Sequence, residues 1–213
     1  MILNETTALQ TAKFLLQINA IKLNPANPFT WASGWKSPIY CDNRKILSYP
    51  EVRSDILNFF IEQINAEYPY IDAIAGVATA GIPMATLIAD RMNLPLVYVR
   101  SSSKGHGLQN QIEGVLQEGQ KVVVIEDLVS TGGSSLRAVD ALRDAKANVL
   151  GMMAIFTYGF PKADENFANS NCKLFTLSDY SFLIKQAQID GIVSEDQLDL
   201  LGEWRKSPDT WGI

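Results

Sequence analysis

The sequence predicts an α/β protein with a doubly wound, mostly parallel sheet flanked by helices, and a small N-terminal cap. Apolar strand-like runs alternate with helical patterns from about residue 71 to residue 156, as is typical of parallel sheets. One run, Val122–Ile125, is mostly β-branched and suits a strand buried on both faces. A turn rich in glycine and hydroxyl groups, Ser130–Ser135, then leads into a helix. We expect ligands at the carboxyl ends of these strands.

The first element is predicted to be an amphipathic helix that ends before Pro25 and Pro28. Its apolar face consists of Ala8, Leu9, Ala12, Leu15, Leu16 and Leu23. Two short strands, Phe29–Trp31 and Trp35–Cys41, follow around a turn at residues 33–34. Because this section precedes the alternating part of the chain, we expect one domain, residues 1–213, in which residues 1–47 form a cap over one end of the sheet.

The alternating core is predicted to begin with a helix at the capping box Ser48–Glu51, with a proline just inside. The predicted strands are Ile71–Val77, Leu96–Val99, Val122–Ile125, Val149–Phe156 and a possible strand Cys172–Leu177. The predicted later helices are Pro83–Met92, Leu136 to about Ala145, and two tail helices capped near Ser178 and Ser194. A tight turn, Ala78–Gly81, joins the first of these strands to its helix.

Composition excludes several classes of protein. With 47% apolar residues among 213, the chain has ample material for one core. No window approaches the ~20 apolar residues of a membrane span and no signal-peptide pattern opens the chain, so we expect a cytoplasmic protein without a membrane partner. The net charge of −5 argues against a nucleic-acid partner. Cys41 and Cys172, with His106 as the single histidine, cannot form a Cys/His zinc site and are expected to be reduced thiols.

A phosphate site is predicted where the strand Val122–Ile125 ends. Glu126 and Asp127 stand there, and the turn that follows would expose backbone N–H groups at a helix N-terminus. A capped helix start, the simpler interpretation, would need only Ser134 or Ser135. Two carboxylates would repel a bare phosphate, whereas a ribose 5-phosphate could place its phosphate in the turn and its hydroxyls on the acids. The turn lacks both the GxxxxGK[ST] lysine and the GxGxxG spacing.

The segment between Val99 and Ile112 is too polar and glycine-rich to be held by burial, so we expect a mobile loop. From composition alone, a plain hairpin connection is an equally good interpretation of this segment. Lys104 and His106, which alternate with glycines, favour a cationic loop that closes over an anionic substrate and excludes water.

Three segments carry a family resemblance. Residues Val122–Ser134 resemble the phosphoribosyl-pyrophosphate (PRPP) signature of the type I phosphoribosyltransferases. Residues Phe29–Arg44 and Arg100–Gly107 resemble the orotate phosphoribosyltransferases within that group. The resemblance implies the type I phosphoribosyltransferase fold, PRPP and orotate as substrates, Mg²⁺ held mainly by PRPP, and a homodimer that shares its active sites between subunits.

The resemblance also implies individual roles. The catalytic residues would be Lys104, His106, Glu126 and Asp127. The PRPP-binding residues would be Arg100, Lys104, His106, Glu126, Asp127, Leu128, Val129, Ser130, Thr131, Gly132, Gly133 and Ser134. Ser130 and Lys36 would contact orotate, although Lys36 and Arg44 could equally be surface charges. Thr79, Ala80 and Gly81 would form a turn at the pyrophosphate.

Four positions depart from the family's usual pattern. Ala32, Ala80 and Ser101 stand where lysines are expected, and Tyr158 stands near the place of an expected arginine. Ala32 and Tyr158 concern the contacts with the base, whereas Ala80 and Ser101 leave fewer positive charges to bind the pyrophosphate. One branch of the family has the same sequence motif in its cap, Trp-x-Ser-Gly-x-Lys-Ser-Pro-Ile-Tyr.

The expected reaction is transfer of the 5-phosphoribosyl group from PRPP to orotate, which gives orotidine 5′-monophosphate and pyrophosphate in pyrimidine biosynthesis. One alternative is a phosphoribosyltransferase for a purine base. The other is a non-catalytic regulator that senses PRPP, although such a sensor needs a nucleic-acid surface or a partner domain.

Overall fold

The N-terminal section forms one helix and two small antiparallel sheets in the computed structural model, which describes residues 1–31, 34–101 and 111–211. Helix α1 (Glu5–Gln17) begins after Asn4, whose side chain accepts a hydrogen bond from the Thr7 N–H. The strands are β1 (Ile21–Leu23), β2 (Phe29–Thr30), β3 (Lys36–Ser37) and β4 (Ile39–Cys41). β1 pairs with β4, and β2 pairs with β3 to form a hairpin.

The prediction that the first helix includes Leu23 is wrong. The helix ends at Gln17, and Asn19 then adopts a left-handed φ of 54°, a common way for a helix to stop. Leu23 lies in β1 and pairs with Ile39. The apolar residues of this short strand continue the helical spacing of the sequence by coincidence, so spacing alone could not separate the two elements.

A 3₁₀ helix (Asn43–Ser48) and helix α2 (Pro50–Glu67) lead from this section into the main sheet. The predicted capping box at Ser48 is wrong, because Tyr49 occupies the cap position of α2 and makes no side-chain capping bond. Pro50 stands at the start of the helix as predicted, where its missing N–H costs nothing.

Six strands form the main sheet, and all neighbours but one pair in parallel. They are β5 (Ala73–Val77), β6 (Leu96–Val99), β7 (Ile112–Glu113), β8 (Lys121–Val129), β9 (Asn148–Thr157) and β10 (Leu174–Asp179). Their order is β10-β9-β8-β5-β6-β7, with β7 antiparallel to β6 at one edge. The predicted mostly parallel α/β sheet is confirmed, and the short edge strand β7 is an addition to it.

Five further helices flank the main sheet among the described residues, and all but α5 begin close to where the sequence predicts them. They are α3 (Gly81–Met92), α4 (Gly133–Asp144), α5 (Pro161–Asn169), α6 (Tyr180–Ile189) and α7 (Glu195–Lys206). Ser194 caps α7 in a capping box with Gln197, as predicted. Ser178 does not cap α6: Asp179 does, and the buried Ser178 hydroxyl donates to the Ala8 carbonyl at 2.8 Å. The sequence did not predict α5.

Apolar side chains cover both faces of the sheet. One face packs against α1, α2, α3, α6 and α7, and the other against α4 and α5. The N-terminal section joins the first of these cores through buried residues of α1 and through an aromatic cluster centred on the fully buried Trp204. The rings of Trp31, Tyr158, Phe160 and Tyr180 lie 5.4 to 5.9 Å from the Trp204 ring. Through Trp31, the β2–β3 hairpin therefore packs against α7, the last long helix.

Candidate active site

The carboxyl ends of β5, β6 and β8 lie side by side at one edge of the sheet. Thr79–Gly81 follow β5, Arg100 follows β6, and Ser130–Ser134 follow β8. The structure therefore brings these predicted site segments to the edge where open parallel sheets bind ligands. Lys104 and His106 lie outside the described residues, so their roles stay predictions.

The turn after β5 lies directly against β8 because Gly81 has no side chain. A Cβ at Gly81 would lie 2.6 Å from the Ile125 carbonyl oxygen and 3.3 Å from the Glu126 Cα. Thr79 is exposed on this turn, and Ala80 is the residue before α3. A larger residue at position 81 would push this turn away from the acid-bearing strand.

The turn after β8 leaves the start of α4 open. Gly132 has a φ of 83°, and a Cβ there would lie 2.6 Å from a ring carbon of Phe167. α4 begins at Gly133, three residues earlier than predicted, and among the described residues no side chain caps it. Gly133 and Ser134 are exposed. This first turn therefore offers N–H groups at the positive end of the helix dipole to an anion.

Glu126 is buried within β8 and does not mark its end. The strand continues to Val129 because β9 runs alongside it, with Glu126 opposite Ala154. Its Oε1 accepts the Asp127 N–H at 3.0 Å, and its Oε2 accepts the Ser135 hydroxyl at 3.0 Å. The Ser135 hydroxyl is thus used by the acid and does not cap the helix. Burial, and secondly the neighbouring Asp127 charge, raise the pKa of Glu126 to about 8.

Asp127 is the more accessible acid of the pair. It is half-buried, and burial raises the pKa of its carboxyl above the ordinary value. Its backbone carbonyl accepts a hydrogen bond from the Asn43 amide at 2.7 Å. Because burial raises the pKa of both acids, the pair should carry less charge near neutral pH than two free carboxylates would. This lowers the repulsion against a phosphate bound at the next turn.

Arg100 faces the start of α4 from β6. Its backbone N–H donates to Gln111, and its guanidinium lies 3.5 Å from a Glu113 carboxylate oxygen. Arg100 and Ser134 line one small cavity of about 30 Å³ between β6 and α4, and the exposed Ser101 also lines it. The predicted cation and the predicted phosphate turn therefore share one pocket.

The β2–β3 hairpin lies beside the phosphate turn. Trp35 of the hairpin and Thr131 of the turn line a common cavity of about 270 Å³. The Lys36 ammonium is exposed and donates to the Thr30 hydroxyl at 2.9 Å. Arg44 is also exposed and donates to Asp42 at 2.6 Å. Neither cation is bonded to the acid pair.

One of the departures from the family pattern, Tyr158, lies in the aromatic cluster. Tyr158 is buried, 5.2 Å from the Trp31 ring, and burial raises its pKa well above the ordinary value. This position therefore contributes apolar surface and no charge. Ala32 lies outside the described residues.

Within the ranges that the structure describes, no group of three or more His, Cys, Asp and Glu side chains could hold a metal ion. Cys41 and Cys172 are free thiols. The helices of the described residues are all too short or too polar to cross a membrane.

The raised pKa of Glu126 predicts how stability depends on pH. Between the unfolded-chain value of 4.5 and the folded value of about 8, the unfolded chain has lost the proton that the folded protein keeps. Stability should therefore fall as the pH rises through this range. Glu126→Gln mimics the protonated acid and should be more stable than wild type near pH 9 but not near pH 4. Urea unfolding at both pH values measures this.

The exposed acid Glu62 supplies the control. Glu62→Gln, unfolded under the same conditions, measures the effect of losing a carboxylate that is exposed to solvent. If Glu126→Gln and wild type show parallel stability curves across the whole range, Glu126 is ionised in the folded protein.

The chain is similar to known phosphoribosyltransferases. The family model described as a phosphoribosyl transferase domain matches residues 48–183. The chain is 55% identical to the orotate phosphoribosyltransferase of Cytophaga hutchinsonii over 95% of this chain and 97% of that protein. It is 54% identical to the orotate phosphoribosyltransferase of Streptococcus thermophilus over 97% of this chain and 99% of that one.

Solved structures agree with these relatives. The crystal structure of orotate phosphoribosyltransferase from Aeropyrum pernix matches with a TM-score of 0.74 and 30% identity, over 86% of this chain and 99% of that one. The structure of Leishmania donovani UMP synthase matches with a TM-score of 0.76 and 27% identity. The match to the latter covers 92% of this chain but 42% of that longer protein.

Proposed function

The chain belongs to the phosphoribosyl transferase family and, within it, to the orotate phosphoribosyltransferases, and from this we propose that it transfers the 5-phosphoribosyl group from PRPP to orotate. The products would be orotidine 5′-monophosphate and pyrophosphate, a step of pyrimidine biosynthesis. One observation carries the proposal: the acid pair Glu126–Asp127 leads directly into an uncapped helix turn at the same edge as Arg100.

The geometry supports catalysis by positioning. The 5′-phosphate would take the N–H groups and hydroxyls of the turn Ser130–Ser134, and the ribose hydroxyls would donate to Asp127. This holds the anomeric carbon of PRPP between orotate and the pyrophosphate, so that its bond to pyrophosphate breaks as the bond to a ring nitrogen of orotate forms, with oxocarbenium character and inversion. Arg100, with Lys104 and His106, would stabilise the charge that develops on the pyrophosphate. No covalent nucleophile is needed.

Mg²⁺ fits this site as an ion that arrives with PRPP. The described residues offer no protein cage of three or more ligands, and both oxygens of Glu126 already accept hydrogen bonds. When bound, the ion would neutralise charge on the pyrophosphate. Of the two acids of the pair, Asp127 is the one that would remain accessible to the ion.

Orotate would bind between the turn and the cap formed by residues 1–47 of the single domain. Ser130 would donate its hydroxyl to the base, and Lys36 would pair with the orotate carboxylate after leaving Thr30. The cavity between Trp35 and Thr131 supports this arrangement, since it places the hairpin beside the turn. The protein would act in the cytoplasm.

The deciding assay follows the loss of orotate absorbance in the presence of PRPP and Mg²⁺, run beside adenine and hypoxanthine. Orotate should be consumed and the two purines should not. Faster consumption of a purine would identify a purine phosphoribosyltransferase. PRPP binding without turnover of any base would identify a sensor.

We expect the enzyme to be a homodimer in which Lys104 and His106 reach the neighbouring subunit's site. A mixed dimer tests this: subunits carrying Asp127→Asn are combined with subunits carrying Lys104→Ala. If the loop acts in trans, one site of the heterodimer has both defects and the other has neither. Activity should then return to about half the wild-type value per heterodimer, as expected for uncoupled sites.

If the loop acts within its own subunit, every site keeps one defect and mixing restores nothing. Subunit exchange is verified by native mass spectrometry before activity is measured. Exchange without recovery would refute the shared site.

A further inference from the structure

We infer that Asn43 is a positioning residue, which acts through the Asp127 backbone and links the cap to the site that holds the ribose. This inference rests on the proposed function, because it assigns Asp127 to PRPP. The sequence carried no signal for Asn43, which lies in the first turn of the 3₁₀ helix and is 3% exposed.

The hydrogen-bond requirement of Asp127 explains why a side chain is needed here. β8 pairs with β5 only as far as Ile125, opposite Gly76. Past that point the ladder with β5 stops, although β8 itself continues to Val129. The backbone polar groups of Asp127 bond to side chains instead: the N–H donates to Glu126 Oε1 at 3.0 Å, and the carbonyl accepts from Asn43 Nδ2 at 2.7 Å. Two side chains thus take the place of the missing strand partner.

The other end of the Asn43 amide fixes its orientation. The Cys41 thiol of β4 donates to Asn43 Oδ1 at 3.3 Å. A rotated amide would point its oxygen at the Asp127 carbonyl and its NH₂ group at the thiol, exchanging two attractive contacts for poorer ones. Burial raises the pKa of Cys41, so the thiol stays protonated and keeps its donor. The amide is therefore held between the cap and β8.

This link has a consequence for the reaction. The carbonyl that Asn43 holds and the carboxylate proposed to read the ribose belong to one residue, so a shift of the cap moves the carboxylate. A displacement of about 1 Å at a reacting group costs up to about 100-fold in rate. The loss of Asn43 should therefore appear in turnover and PRPP affinity, with little change in the KM for orotate.

The test is a double-mutant cycle between Asn43 and Asp127. Asn43→Leu keeps the approximate volume and removes the donor. It should lower kcat by about 10- to 100-fold and weaken PRPP binding, measured by calorimetry without any base. In the Asp127→Asn background the same change should have little further effect, because the group it positions is already disabled. The exposed cap residue Asn27 supplies the control, Asn27→Ala, which should behave as wild type.

Equal losses from Asn43→Leu in both backgrounds would overturn the inference and leave Asn43 a structural residue. Asn43→Asp serves if the leucine variant does not fold, because it keeps the shape and places an acceptor against the Asp127 carbonyl. Unchanged PRPP affinity and kcat in that variant would equally overturn the inference. Calorimetry with PRPP reports on the Asn43 link even if the wild-type protein does not turn over orotate, so failure of the proposed function is recognised separately.

Discussion

Asp127→Asn is expected to lower kcat/KM for PRPP by at least about 100-fold, the size seen when one preorganised group at a reacting centre is removed. The amide keeps the shape of the carboxylate but accepts ribose hydroxyls more weakly and donates where an acceptor is needed. The backbone bonds of Asp127 to Glu126 and Asn43 do not involve its side chain. The melting temperature should therefore stay close to that of wild type.

Steady-state kinetics, calorimetry with PRPP and thermal melting measure the three quantities. Asp140→Asn is the matched control, since Asp140 is an exposed acid of α4. Full activity with tight PRPP binding in Asp127→Asn would show that the acid pair is structural.

Orotate is expected to exceed uracil by about 10⁴-fold in kcat/KM, because a site built to bond a substrate group rejects the analogue that lacks it. Uracil lacks the carboxylate and would not form the charged hydrogen bond with Lys36, which would stay on the Thr30 hydroxyl. Lys36→Met should reduce this preference mainly by lowering kcat/KM for orotate. Comparable rates for the two bases would remove the orotate assignment and leave only the PRPP site.

Local patterns predicted the sheet well. The β-branched run before the acid pair, the glycine turn and the helix that follows occur in the predicted order, although α4 begins three residues earlier than predicted. The strand boundaries could not be predicted in the same way. β8 continues past Ile125 because β9 continues beside it. Residues 126–129 contain no local sequence pattern that predicts this pairing.

The surrounding structure also explains why two serines do not occupy the cap positions themselves. Ser48 and Ser178 are good capping residues by type, but Ser48 ends a 3₁₀ helix and the Ser178 hydroxyl bonds to Ala8 across the core. In each case the next residue takes the cap position. Capping preferences identify a helix start to within a residue, and packing decides which residue it is.

The sequence predicted which residues meet at the site better than it predicted their pKa values and hydrogen bonds. The acid pair, the turn and Arg100 all reach one edge of the sheet, as parallel topology requires. The raised pKa of Glu126 follows from its burial in the folded protein, which no local sequence pattern predicts. Asn43 bonds to a residue far along the chain, so no local pattern could reveal it.

The contact of Trp31 with Trp204 makes the order of protein synthesis matter. Trp31 leaves the ribosome early, and Tyr158 follows with β9, but the Trp204 ring on which both pack arrives only with α7, after the six strands described above. A nascent chain can therefore complete the PRPP edge while the hairpin still lacks part of its support. We expect a translation product that stops before α7 to retain the parallel sheet and to lose the base-binding side first.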